Sequence, residues 1–379
     1  MLVSIDASAV PSQAGGVGRY VAGLLGALDE RDDVSLDVIT SRSDSQRWRT
    51  AAPGASISAA APRSVATRLI WEQAAMPRLL RDIAPAVHHS THYTLPRRAK
   101  VAKVVTIHDL TFVEHPEWHS KSKALFFAHA IKVAAQEAQV LICVSRTTAN
   151  RLTARFKLAG HVMIAPHGVD TQRFQPTEDR KGSDAEALRL TGVTAPYVLY
   201  LGTVEPRKDV PTLVRAFGRI SGSHPTLSLV IAGGGWASEE KRLKRAIGAS
   251  SHPERIKRLG FVPDNDVPPL LRQSAAVVYP SIEEGFGLPA LEALACGAPT
   301  VTTRGSAMEE FTDGAALMFD PGDDATLAEL IHQLVIGDPT FDARRSPGLA
   351  IAAAHTWEAS AERHIDAYRV AAGMTSHSN

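Results

Sequence analysis

Arg207 and Lys208 are adjacent in the run Gly202-Thr203-Val204-Glu205-Pro206-Arg207-Lys208, directly after the apolar stretch 197–201. A short apolar run of that kind reads as a buried strand. The two cations therefore fall at a strand's carboxyl end, where open α/β sheets take their ligands. A guanidinium fork beside a compact ammonium suits an anion, and the pair could neutralise charge growing on a departing diphosphate. For an isolated Arg-Lys pair, solvated surface charge is the commoner reading.

The most specific stretch is PSIEEGFGLPALEALACG at 280–297. It follows a strand-like run and opens a helix. Gly285 and Gly287 permit close backbone approach, Pro289 suits a first helical turn, and Gly297 stands where a helix-ending glycine belongs. The helix start is thereby anion-receptive. Glu284 lies on the loop and Glu292 in the first helical turn or so, with seven residues between them. Both could accept hydrogen bonds from the hydroxyls of one bound sugar, although Glu292 could instead simply complement the helix dipole.

Weaker signals come from the first half. His108 in Thr106-Ile107-His108-Asp109-Leu110 ends an apolar strand, which puts a titratable ring at the rim of a cleft; a core histidine bonded to a neighbouring loop is the plainer alternative. Gly15-Gly16-Val17-Gly18 precedes a helix whose free amides could hold phosphate, or is only a bend. A dinucleotide fingerprint is missing, because Val21 occupies the third glycine position. Asp264-Asn265-Asp266 has a D-x-D form but precedes a helical stretch, so capping is expected rather than metal binding. His88 and His89 are neighbours on a strand and face opposite ways, and with His92 they form no zinc set of known spacing. No metal site is expected.

The elements that must hold these residues alternate between strand and helix. Apolar runs at 2–5, 36–39, 101–107, 140–144 and 162–165, then at 197–201, 228–232, 256–259, 275–279 and 299–302, are separated by helical patterns. That alternation predicts two doubly wound parallel sheets with ligands in the cleft between them. A polar stretch at 171–184 reads as the linker, and 352–368 as a terminal helix carrying Trp357. Phe126 and Phe127 are expected in the core, and Trp118 is a candidate acceptor-side or membrane-facing ring.

With 379 residues the chain has room for two domains. Its 44% apolar and 21% charged residues exclude both a disordered chain and a membrane bundle. Lys plus Arg (41) nearly equals Asp plus Glu (40), which removes the basic footprint of a nucleic-acid binder. The balance is uneven along the chain: 23 − 17 = +6 for 1–185 and 18 − 23 = −5 for 186–379. Only Cys143 and Cys296 occur, so a reducing cytoplasm is expected, with no signal segment or membrane span.

Taken in order, GGVGRY (15–20), TIHDL (106–110), VSRTT (144–148), HGVD (167–170), EPRK (205–208) and EGFGLPALEALACG (284–297) resemble the retaining family 4 glycosyltransferases of the GT-B fold, and more closely their mannosyltransferases. The resemblance spans nearly the whole chain. It implies an N-terminal acceptor-binding domain at 1–172, with a helix at about 356–372 crossing back onto it, and a donor-binding domain at 173–355.

It also implies catalytic roles for His108 beside the donor sugar, for Arg207 and Lys208 on the diphosphate, and for Glu284. Gly16, Gly285, Phe286, Gly287 and Leu288 would approach donor sugar or phosphate, Glu292 would hold the ribose hydroxyls, and Val262 would meet the base. No cofactor and no metal are implied. The partners would be a nucleotide-sugar donor, GDP-mannose first, and a glycan or lipid-linked acceptor hydroxyl, with peripheral contact at the inner membrane face left open. A UDP-sugar transferase, a nucleotide-sugar epimerase or phosphorylase, and a non-catalytic sugar-nucleotide sensor are the alternatives.

Overall fold

A computed structural model describes residues 1–11, 15–176, 181–337, 339 and 341–374. The chain forms two α/β units, one of Met1–Gly168 joined by the chain from His355 on, the other of Val169–Ala354. Gly168 explains why the division precedes the expected 172: a side chain there would lie 2.3 Å from the backbone nitrogen of Trp357, so the outgoing and returning chains cross in contact.

Seven parallel strands make the sheet of the first unit: β1 Leu2–Asp6, β2 Ser35–Ser41, β3 Ser56–Ala61, β4 Val87–Ser90, β5 Ala102–Ile107, β6 Val140–Cys143 and β7 His161–Ile164. Their spatial order is β3-β2-β1-β4-β5-β6-β7. The second sheet has six: β8 Tyr197–Leu201, β9 Ser228–Ala232, β10 Ile256–Gly260, β11 Ala276–Val278, β12 Thr300–Thr303 and β13 Leu317–Phe319, ordered β10-β9-β8-β11-β12-β13. Each order reverses direction once, between β1 and β4 and between β8 and β11.

Two faces of the first sheet are buried, and side chains alternate between them. Val104, Val140 and Ile142 join Tyr20, Leu24 and Tyr368 on one side, while Val105, Leu141 and Cys143 join Ile131 and Ala134 on the other. This is the pattern that makes parallel strands apolar at every position and so legible in sequence. β3 and β13 escape that reading. SISAAA offers little apolar bulk, and β13 has only three residues.

Other departures are local. Helix Lys181–Thr191 begins inside the expected linker, of which 177–180 lie outside the described residues. Its Asp184 accepts two bonds from Arg272, at 2.6 and 2.7 Å, with both side chains buried. The terminal helical stretch is two helices, Asp342–Ala354 and Trp357–Ala371, broken at Thr356, whose side chain caps the second. Phe127 packs into the core, whereas Phe126 remains 39% exposed, a correction to its expected burial. Trp118 stacks on His115 at 3.9 Å. Among the described residues no helix is long and apolar enough to cross a membrane.

Trp357–Ala371 packs against helix Gly16–Asp29. Gly23 makes this possible, since a methyl group there would fall 2.2 Å from the Trp357 ring. A buried hydrogen-bond chain then fixes the helix. His364 Nδ1–H donates to the Ser360 carbonyl (2.7 Å), so its Nε2 accepts from the Tyr20 hydroxyl (2.9 Å). Tyr20 in turn accepts from Thr106 (2.9 Å), Thr106 from His89 Nε2–H (2.8 Å), and His89 Nδ1 from the Tyr368 hydroxyl (2.8 Å). Every donor and acceptor in the series has one direction, and each ring must be neutral.

Burial keeps them neutral. It pushes His88 and His364 down to about 4 and His92 to about 3, and holds His89 well below its ordinary value. A histidine depressed in the folded state stabilises the fold fully above its unfolded value of about 6.5 and loses that contribution as pH falls toward the folded value. The unfolding free energy should therefore drop by about 1.4 kcal/mol per histidine per pH unit below about 6.5. Denaturant titrations at steps from pH 7.5 to 5 check this; a flat profile would contradict the neutral network.

Candidate functional site

The second sheet changes direction between β8 and β11, which pair through Ala276↔Val198 and Val277↔Leu199. The chain leaving β8 runs through Gly202 to Glu205 into the tight turn Pro206–Lys208; the chain leaving β11 runs from Tyr279 to Gly287 into helix Leu288–Ala295. Reversal of strand order forces these two connections apart in direction and opens a crevice at their base, the place where such sheets bind ligands.

Side chains from the two connections meet there. Glu284 binds Arg207 through Oε2 (Nη1, 2.6 Å) and Lys208 through Oε1, which also accepts from the Ser281 hydroxyl at 2.9 Å. Arg207 is further held by Glu205 (2.7 Å) and by the Glu283 carbonyl (3.1 Å). The backbone closes the same join, Ile282 N–H donating to the Arg207 carbonyl at 2.7 Å. Lys208 is 9% and Glu284 7% exposed. Two cations and two carboxylates thus occupy a nearly dry site and balance one another.

The electrostatics follow from that arrangement. Burial would raise Glu284, but Lys208 and Arg207 outweigh it and hold the carboxyl at about 2. Lys208 moves down because burial and its neighbour Arg207 oppose its charge more than Glu284 supports it. Glu284 holds both cations in place, so an arriving negative group would meet a pre-positioned pair.

Two parts of the 280–297 motif shape the helix start. Tyr279 donates to the Pro289 carbonyl at 2.9 Å, and Phe286 stacks on Phe311 with centroids 4.8 Å apart. With its ring buried, Phe286 offers a ligand only backbone. Gly287 has φ 103°, and a methyl group on it would meet Met308 Cγ at 2.3 Å. Glycine is thus required both for conformation and for space.

Sequence comparison now bears on this geometry. Residues 14–173 match the pattern of Glycosyltransferase Family 4, and residues 189–346 that of Glycosyl transferases group 1. The chain belongs to these glycosyltransferases. O-antigen chain mannosyltransferase B of Escherichia coli is 29% identical over 297 residues, covering 77% of this chain and 76% of that protein. The GDP-mannose-dependent alpha-(1-6)-phosphatidylinositol monomannoside mannosyltransferase of Mycolicibacterium smegmatis is 28% identical over 60% of this chain and 59% of its own length. Among solved structures, sucrose-phosphate synthase from Thermosynechococcus elongatus aligns with a TM-score of 0.80 at 21% identity, over 97% of this chain and 98% of that one. The fold is GT-B, two Rossmann-like units with the last helix returned to the first.

Within the glycosyltransferase, Arg207, Lys208 and Glu284 are in direct contact, and Gly285, Phe286, Gly287 and Leu288 continue the same connection. Glu292 is buried on the helix that follows, in its second turn rather than its first. Val262 is apart from them along the sheet, buried on the connection after β10, the outermost strand. Asp266 precedes helix Val267–Arg272 but makes no capping bond, which corrects the expected cap; Asp264 instead faces Arg173 at 3.7 Å. Among the described residues no cluster of three or more His, Cys, Asp or Glu is placed to hold a metal ion.

His108 and Gly16 belong to the other unit. Gly16 opens the helix that follows β1, and His108 follows β5. His108 Nε2–H donates to the Thr91 carbonyl at 2.9 Å, which leaves Nδ1 as the ring's acceptor, and burial lowers the ring's pKa. A neutral imidazole fixed this way accepts a hydroxyl hydrogen and does not deliver a proton.

Sequence reasoning missed several groups. At the reversal of the first sheet, Asp6 ends β1 and Thr91 follows β4, with the Thr91 hydroxyl donating to the Asp6 carbonyl at 2.7 Å. Nearby charge includes Glu72, which burial and then Asp6 raise, and which accepts from Arg68 (3.1 Å) and Thr94 (2.7 Å). The four-residue spacing of Arg68 and Glu72 on one helix was the available signal. Glu205 and Ser281 were also missed, although both lie inside motifs already quoted.

Gly287→Ala should lower the unfolding free energy by at least about 2 kcal/mol, from left-handed strain plus overpacking. Met308→Ala should cost less in the Gly287→Ala background than in the wild type, because there it also relieves the overpacking. Denaturant melts of the single and double variants check this, and wild-type stability in Gly287→Ala would contradict it.

Proposed function

We propose that this glycosyltransferase moves a mannosyl group from GDP-mannose to a hydroxyl of a glycan or lipid-linked acceptor, with retention of configuration and without a metal. The observation that carries the reading is the buried Arg207–Glu284–Lys208 constellation at the reversal of the second sheet. The mannose assignment is supported by the names of the two relatives, both mannosyltransferases, one of them GDP-mannose-dependent.

In this reading the diphosphate lies against Lys208 and Arg207 and the start of helix Leu288–Ala295, whose dipole favours negative charge. Glu284 positions both cations, Glu292 takes the ribose hydroxyls, and backbone near Val262 meets the base. Gly16, at the head of its helix, approaches the donor phosphate, and His108 Nδ1 accepts a hydroxyl of the donor sugar. The bond from the anomeric carbon to the phosphate oxygen breaks as the bond to the acceptor oxygen forms on the same face. The acceptor proton passes to the departing phosphate, so the products are GDP and the α-mannoside. Cations of the protein stabilise the leaving group, which is the role a metal would otherwise fill.

Release of GDP from GDP-mannose to water, assayed without acceptor, tests donor and cation roles together. In EDTA the wild type should turn over GDP-mannose faster than UDP-glucose. Lys208→Ala should lose about 10² to 10³ of the rate, as when one preorganised donor to a developing oxyanion is removed. Dependence on added Mg²⁺, or an unimpaired Lys208→Ala, would overturn the reading.

A further inference from the structure

A second basic cluster lies outside the donor constellation and shares none of its residues. Helices Val210–Ile220 and Ala237–Gly248, with the start of helix Asp324–Val335, border an open groove of about 670 Å³ lined by Arg215, Arg219, Arg242, Arg245, Ser250 and Asp324. Four guanidinium groups line the groove against three carboxylates within ion-pair reach, Asp324, Asp209 and Glu239, in the half of the chain whose summed charge is 18 − 23 = −5.

The internal counter-charges leave one of these cations over. Asp324 is shared between Arg215 (3.2 Å) and Arg219 (2.5 Å). Arg242 reaches Asp209 and Glu239 only at 3.3 Å each. Arg245 forms no ion pair among the described residues. The Ser250 hydroxyl is buried without a hydrogen-bond partner, 3.4 Å from where a side chain on Gly218 would begin. A buried hydroxyl that binds nothing inside the protein, beside arginines in excess, is a donor set waiting for an external acceptor.

We propose that this groove is a binding site for a phosphate-bearing anion, distinct from the donor site. Arg245 and Ser250 contact it first, and Arg219 and Arg242 supply bidentate forks from the flanking helices. The same chemistry is offered by free phosphate compounds and by a lipid headgroup, and the two sources are separated by experiment. Two of its arginines also brace the donor turn. Arg242 holds Asp209, which adopts φ 38° directly after Lys208, and Arg215 donates to Thr212 (2.7 Å), itself bonded to Asp209.

Calorimetric titration of inorganic phosphate into the full chain tests the site, each variant being compared with the wild type so that any binding at Arg207 and Lys208 is common to both. Arg245→Ser, which breaks no ion pair of the fold, and Arg219→Ser/Arg245→Ser should weaken phosphate binding by at least about tenfold, the loss of one charge-assisted contact. Flotation with phosphatidylglycerol vesicles separates the sources. Vesicle binding that depends on Arg245, without free-phosphate heat, assigns the same site to a headgroup. Equal phosphate affinity with and without Arg245, or binding of neither probe, overturns the proposal.

Discussion

Glu284 is the group on which the candidate site in the second unit of this glycosyltransferase depends. Its carboxylate bridges two cations that the turn Pro206–Lys208 would otherwise force together in a nearly water-free crevice. Removing one partner of a buried ion pair typically costs about 3–5 kcal/mol, because the remaining charge is left uncompensated. The bridge also joins the two connections on either side of the strand reversal. Side chain and backbone act together there, through Ser281 to Glu284 and Ile282 to Arg207. A single carboxylate thus sets both the geometry and the charge state of the site.

The first unit is ordered by a different kind of constraint. Its central histidines are neutral and directional, and their bonds run from the returned helix Trp357–Ala371 through Tyr20 and Thr106 to β4. One consequence is that His108, bonded through Nε2 to the Thr91 carbonyl, keeps Nδ1 as a lone pair and not a proton. General-acid work in this unit therefore does not fall to His108, whose Nδ1 can only accept.

The sequence made the architecture legible because parallel strands buried on both faces are apolar without interruption; 197–201 and 228–232 coincide with β8 and β9. β3 was opaque since serine and alanine carry no such signal, and the break at Thr356 was opaque because the flanking residues are good helix formers on both sides. In the site, Arg207, Lys208 and Glu284 stood out through their motifs, yet their mutual bonding did not, since 76 residues separate Lys208 from Glu284. Glu284 was read as a ligand for sugar hydroxyls, whereas both of its oxygens are engaged by the protein. The arginine groove was hidden for the same reason: Arg215 and Arg219 come from one helix, Arg242 and Arg245 from another, and no motif joins them.

The central claim is that Lys208 and Arg207 recognise the diphosphate, and comparison of GDP with GMP tests it most directly. Calorimetry on the wild type should find GDP bound about tenfold to a hundredfold more tightly than GMP, the worth of charge-assisted bonds to the additional phosphate. In Lys208→Ala that gap should largely close while GMP affinity stays the same. A Lys208→Ala protein that keeps the full preference for GDP would contradict the account.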